Sequence, residues 1–124
     1  MSNLEAIKKY MPLTETSFYV LISLFEPLHG YGIMQKVEKL SAGRILFGPG
    51  TLYGALNNLQ TMGLIALQDE TANTDRRKTY LITDKGRTLV NLEIERLKEM
   101  LINAETLIAD SSRKENDPDN GRSN

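Results

Sequence analysis

Arg76, Arg77 and Lys78 stand in series inside the polar run DETANTDRRK, and Thr51, Asn57 and Asn58 recur inside GPGTLYGALNNLQTMG. The two groups suit two kinds of chemistry. Guanidinium and ammonium groups neutralise phosphate oxygens, a contact that holds a polyanion without reading its sequence. Amide and hydroxyl side chains can read the edge of a base, since asparagine pairs through two hydrogen bonds with adenine and threonine can meet a thymine methyl. Catalysis finds little material beside them. The chain has no cysteine, hence no thiol nucleophile, thiolate metal site or disulfide, and His29 is its only histidine, which removes paired-histidine metal sites. No two carboxylates share an apolar setting of the kind that tunes an acid and a base. Neither an enzyme nor a cofactor is expected.

The elements that must carry these residues follow from periodicity. In TETSFYVLISLFEP the residues Phe18, Leu21, Ile22 and Phe25 fall at i, i+3, i+4 and i+7, one apolar stripe of a helix that Thr14 caps and Pro27 stops. Val20 and Leu24 lie off the stripe, so this helix packs on two sides. LHGYG reads as a turn whose Gly30 and Gly32 are turn residues. IMQKVEKL then places Ile33, Val37 and Leu40 on one side of a second helix and Lys36 and Lys39 on the other, ending near Ala42 and Gly43. In the third helix Pro49 takes the first position, Leu52, Ala55, Leu56 and Leu59 form the buried stripe, and Gly63 ends it. Its outward side carries Thr51, Tyr53, Gly54, Asn57, Asn58 and Gln60, all uncharged. Gly54 costs about 1 kcal/mol against alanine in mid-helix, which calls for a reason such as close approach of another backbone. Tyr53, on the flank, can bury its ring and present its hydroxyl.

LIALQ and TYLIT read as the strands of a hairpin with the basic triplet at its charged tip. From Asp84 a long helix follows, with Thr83 its cap. Val90, Ile94, Leu97, Leu101, Ala104 and Ile108 step by four and three residues in alternation, the seam by which two helices pair. Its length points to a homodimer interface, to which Phe18 and Ile22 of the first helix are added. The expected organisation is an N-terminal extension over 1–12, a winged helix-turn-helix over 13–83, a dimerisation helix over 84–110 and a disordered tail over 111–124. The fold class is mainly α with a small β-hairpin. In such a fold the third helix enters the major groove and the hairpin loop reaches the flanking backbone.

Bulk charge argues weakly against a polyanion partner, because Lys and Arg number 15 against 16 Asp and Glu, a net charge of -1. The distribution changes that. Residues 1–90 hold ten basic against eight acidic side chains, whereas 91–124 hold five against eight, so the acidic excess belongs to the long helix and tail. The apolar run from Phe18 to Phe25 is too short to span a bilayer and is preceded by Glu5 and Glu15, unlike a signal peptide. A cytoplasmic protein with no membrane contact is expected.

LHGYGIMQKVEKL, GPGTLYGALNNLQTMGLI and RRKTYLITDKG, in this order and spacing over about residues 13–87, resemble the PadR family of bacterial transcriptional regulators. The resemblance implies a homodimeric winged-helix repressor paired through its C-terminal helix, often with the first helix, and released in many members by a small aromatic or amphipathic effector. A single C-terminal helix is similar to the short subgroup. On matching positions double-stranded DNA would meet Gly50, Thr51, Tyr53, Gly54, Asn57 and Asn58, with Arg76, Arg77, Lys78 and Lys36 holding its backbone. The operator would be a pseudo-palindrome with half-sites about one helical turn apart. The competing reading is a helical dimeric interaction module whose basic wing binds an acidic protein.

Overall fold

Thr14 opens a helix as its neighbours predict, its Oγ1 accepting a hydrogen bond from the Ser17 N–H at 3.0 Å. The computed structural model describes residues 3–68 and 78–115. Along the chain it contains α1 (Asn3–Lys8), α2 (Glu15–Ser23), β1 (Leu28–His29), α3 (Gly30–Leu40), α4 (Pro49–Thr61), β2 (Ile65–Leu67), β3 (Thr79–Ile82) and α5 (Asp84–Glu115). The chain divides into two units between Glu93 and Ile94. The first unit therefore takes the opening turns of α5, where the sequence places a boundary at 83/84. The helix also continues through Ser111 to Glu115, residues expected to be disordered tail, and 116–124 lie outside the described residues.

The first unit is mainly helical around a three-stranded antiparallel sheet of order β1-β3-β2. The expected hairpin is present, with Ile65 opposite Ile82 and Leu67 opposite Tyr80. A third strand joins it where a turn is expected. Leu28 pairs with Tyr80 and His29 with Thr79, so LH is strand and Gly30 is already the first residue of α3. Two residues are too few to display alternation, and their partner lies far along the chain. Thr79 to Ile82 does alternate, turning Tyr80 and Ile82 into the core.

Val20, Leu21, Leu24, Ile33, Val37, Leu52, Leu56, Leu59, Leu64, Ile65, Leu89 and Val90 are essentially completely buried. Full burial of such a side chain contributes about 1.5–3 kcal/mol. One expected stripe is turned and another is cut short. In α2 the core side is Val20, Leu21 and Leu24, while Phe18 and Ile22 are half-buried and Phe25 is 44% exposed beneath the Arg87 guanidinium, 4.4 Å from its ring centroid. A helix apolar on two sides does not declare which one faces α3. In α3 Ile33 and Val37 are buried but Leu40 is exposed, because the helix ends there and the chain turns through Ala42 (φ 53°) and Gly43 (φ 83°). α1 was not foreseen within the N-terminal extension, and its Ile7 is buried.

Thr83 caps α5. Its Oγ1 accepts from the Gly86 N–H at 3.1 Å and donates to the Gly63 carbonyl at 2.7 Å, tying the start of α5 to the end of α4. Lys85 Nζ adds a bond to the Met62 carbonyl at 2.9 Å. Gly86 has no alternative here, since a Cβ would lie 2.3 Å from the Leu64 carbonyl oxygen and 2.7 Å from Ile82 Cγ1. Two turns further on, buried Glu93 accepts the Leu13 N–H.

Candidate nucleic-acid interface

Helix α4 is held at both ends and along one side, which fixes what its other side presents. Gly48 is its N-cap and Pro49 its first residue, where a missing N–H is harmless. Leu52, Leu56 and Leu59 are buried, with Ala55 at their margin. At the far end Gly63 adopts φ 78° and the Leu64 N–H bonds back to the Leu59 carbonyl at 3.0 Å. The opposite side exposes Thr51, Gly54, Asn57, Asn58 and Gln60, as expected. It is a row of donors and acceptors with no charge.

Tyr53 sits at the border of the two sides and is half-buried. Its ring packs against the start of α3, where a Cβ on Gly30 would lie 2.4 Å from its Oη and 2.8 Å from its Cζ. Gly30 is thus a packing residue rather than a turn glycine. This contact sets the two helices against each other, and GYG and TLY are two halves of one joint. His29, Gly30, Tyr31, Gly32, Gln35 and Tyr53 line an open cleft of about 330 Å³ beside it.

The glycines of the α4 segment behave differently. A Cβ added to Gly48, Gly50 or Gly54 would meet nothing within 4 Å, and all three are exposed. Nothing among the described residues requires glycine at Gly54, in mid-helix. The close approach expected from the sequence is not made by any described residue of this fold.

The basic groups are only partly described. Arg76 and Arg77 lie outside the described residues, while Lys78 is half-buried at the entrance to β3. Lys36 is half-buried and ion-paired with Glu26 at 2.5 Å, so a phosphate would have to compete with that carboxylate. Sequence reasoning passed over Arg44 and Leu46, both exposed on the loop into α4, with Arg44 paired to Glu15 at 2.9 Å. No periodicity marks a loop residue.

Of the residues expected to pair, Val90 lies off the exposed stripe. It is 1% exposed and buried in the core of the first unit, so it is not available to a partner. Ile94 is half-buried, whereas Leu97, Leu101, Ala104 and Ile108 are all exposed. Phe18 and Ile22 remain half-exposed on α2.

A family model, that of the PadR-like transcriptional regulators, matches residues 19–91, more than half of the chain. The chain belongs to this family. PadR-like proteins are transcriptional regulators, not enzymes. An uncharacterised 37.1 kDa protein in transposon Tn4556 of Streptomyces fradiae is 36% identical over 84 residues, which are 67% of this chain but only 23% of that protein. Among solved structures, RosR of H. salinarum is 23% identical with a TM-score of 0.62, covering 84% of this chain and 97% of its own. A PadR-like transcription factor of Bacteroides fragilis is 23% identical at a TM-score of 0.61, over 86% and 99%. A PadR-family regulator of Eggerthella lenta is 25% identical at 0.56, over 86% and 87%. The PadR match spans α3, α4 and the sheet, and with them the Gly30–Tyr53 joint and the Gly86 contact. Among the described residues no helix is long and apolar enough to cross a membrane.

Proposed function

We propose that this PadR-like chain is a homodimeric repressor that reads a pseudo-palindromic operator in double-stranded DNA. Helix α4 lies in the major groove, where Thr51, Asn57 and Asn58 meet base edges and Tyr53 offers its hydroxyl from the flank. Gly50 and Gly54 admit the DNA backbone to the helix surface. Arg76, Arg77 and Lys78 hold phosphates from the loop between β2 and β3, and Lys36 joins them by leaving Glu26. The C-terminal part of α5 pairs two copies so that two α4 helices address two half-sites about one helical turn apart. A flat aromatic effector would find Phe18 and Tyr19 on α2, whose rings stand edge to face with centroids 6.2 Å apart.

The observation that carries this reading is the outward side of α4. It combines uncharged hydrogen-bonding groups with a mid-helix glycine that has open space around it. The competing reading, in which the basic wing binds an acidic protein, gives this side of α4 no role. Selection of bound sequences from a random DNA pool tests the reading. The expected result is enrichment of a two-fold-related site whose binding falls steeply with salt while keeping a large ratio over random DNA. Binding with no sequence preference would remove α4 as a reading helix, and binding to acidic protein alone would favour the interaction module.

A further inference from the structure

The C-terminal part of α5 exposes a stripe three residues wide. Leu97 is 43% exposed, Met100 54%, Leu101 57%, Leu107 68% and Ile108 65%. In heptad terms Ile94, Leu101 and Ile108 occupy a, Leu97 and Ala104 occupy d, and Met100 and Leu107 occupy g. The remaining flanking position, e, holds Lys98 and Glu105. The stripe is thus bounded on one flank by apolar side chains and on the other by one cation and one anion, two heptad positions that differ only in sign.

We infer that α5 pairs with α5 of a second copy in the antiparallel sense, about a two-fold axis near residues 102 and 103, with Lys98 against the partner's Glu105. The inference rests on the dimer reading above and specifies its geometry. In an antiparallel pair, a layers face d layers, e faces e and g faces g. This register sets Leu101 on the partner's Ala104 and Ile108 on the partner's Leu97. It brings Met100 against the partner's Leu107 on the apolar flank. Lys98 meets the partner's Glu105 on the other flank, and symmetry makes the ion pair twice.

The alternatives each break one of these matches. A slip of one heptad, about 10 Å, puts Lys98 against the partner's Lys98 in one direction and Glu105 against the partner's Glu105 in the other. A parallel, in-register pair matches g with e instead. That sets Met100 against the partner's Glu105 and Leu107 against the partner's Ser112. Its only opposite-charge match would join Lys98 to Glu93, which is 1% exposed and already holds the Leu13 N–H. Only the antiparallel register satisfies both flanks.

Because the chain contains no cysteine, single thiols report the geometry directly. The variants Leu97→Cys and Ile108→Cys are made in the full chain, mixed to allow subunit exchange, and treated with a bis-maleimide linker spanning about 8 Å, roughly one interhelical distance. Cross-linking of the mixture, with none in either variant alone, is expected. In the proposed register two copies of residue 97 lie about 16 Å apart along the helix axis. Efficient cross-linking of Leu97→Cys with itself would show a parallel pair and overturn the register. A dimer by sedimentation that cross-links in no combination would overturn the register and leave the dimer standing. Monomers of the unsubstituted chain at all concentrations would end the dimer reading, and the register with it. A charge exchange gives a second readout at exposed positions that do not endanger folding. Lys98→Glu and Glu105→Lys should each weaken dimerisation by about tenfold, and the double variant should recover it. Additive losses in the double variant would exclude the facing pair.

Discussion

Two surfaces of this chain, the outward side of α4 and the apolar stripe of α5, are both exposed and both costly to leave exposed, but for opposite reasons. The α4 surface offers hydrogen-bonding groups and bare backbone at Gly54. Water satisfies such groups, so the cost there is the conformational freedom of a helical glycine. The α5 surface offers Leu97, Met100, Leu101, Leu107 and Ile108, whose cost is apolar area held in water. On the proposed reading, each kind of cost answers to a different kind of partner. A surface needing close backbone approach and directional bonds fits a nucleic acid groove, and one needing only apolar cover fits another copy of itself.

The largest expected effect breaks the second surface. Leu97→Asp places a charge in each half of the paired stripe and should weaken dimerisation by about 4 kcal/mol, the sum of two central interface losses. Sedimentation equilibrium checks it, and circular dichroism should show the first unit still folded. An unaltered dimer would take Leu97 out of the interface.

Gly86→Ala tests the difference between a glycine the fold needs and one it does not. A methyl group 2.3 Å from the Leu64 carbonyl oxygen forces the start of α5 away from the sheet. Destabilisation of about 1–3 kcal/mol is expected from such overpacking. Urea denaturation followed by circular dichroism measures it, and a midpoint equal to that of the unsubstituted chain would remove the contact from the account.

Asn57→Ala addresses the first surface alone. If Asn57 reads a base through two hydrogen bonds, discrimination at that base should fall by about 1–3 kcal/mol while random DNA is bound as before. Titration against operators changed one base pair at a time checks this. An unchanged position preference would remove Asn57 from the reading set.

What the sequence discloses tracks how local each cause is. Helix α4 was legible because its start at Pro49, its leucine spacing and its end at Gly63 all lie within one segment, and its outward residues followed by subtraction. The cap of α5 at Thr83 was legible for the same reason. β1 was not, because Leu28 becomes strand only by pairing with Tyr80. Val90 continues the seam in pattern, yet the core of the first unit takes it. Glu93 reads as a surface charge on a helix, yet it is buried and accepts the Leu13 N–H, from the far end of the chain. Tyr53 and Gly30 were each singled out from the sequence, but their contact belongs to the packing of α3 on α4.

The smallest effect discriminates most sharply, because its two parts have opposite signs. Gly54 lies in mid-helix with no atom within 4 Å of an added Cβ, so alanine fits the folded chain without strain. Replacing it should stabilise the fold by about 0.5–1 kcal/mol, since alanine loses less backbone freedom on entering a helix. If a DNA backbone approaches that surface, the same methyl group should weaken operator binding. Gains in stability and losses in affinity seldom come from one substitution at a position that serves only packing. Thermal unfolding and operator titration of Gly54→Ala measure the two together. A variant that is more stable and binds equally well would place the contact elsewhere on α4, whereas a less stable variant would mean that the fold itself requires this glycine.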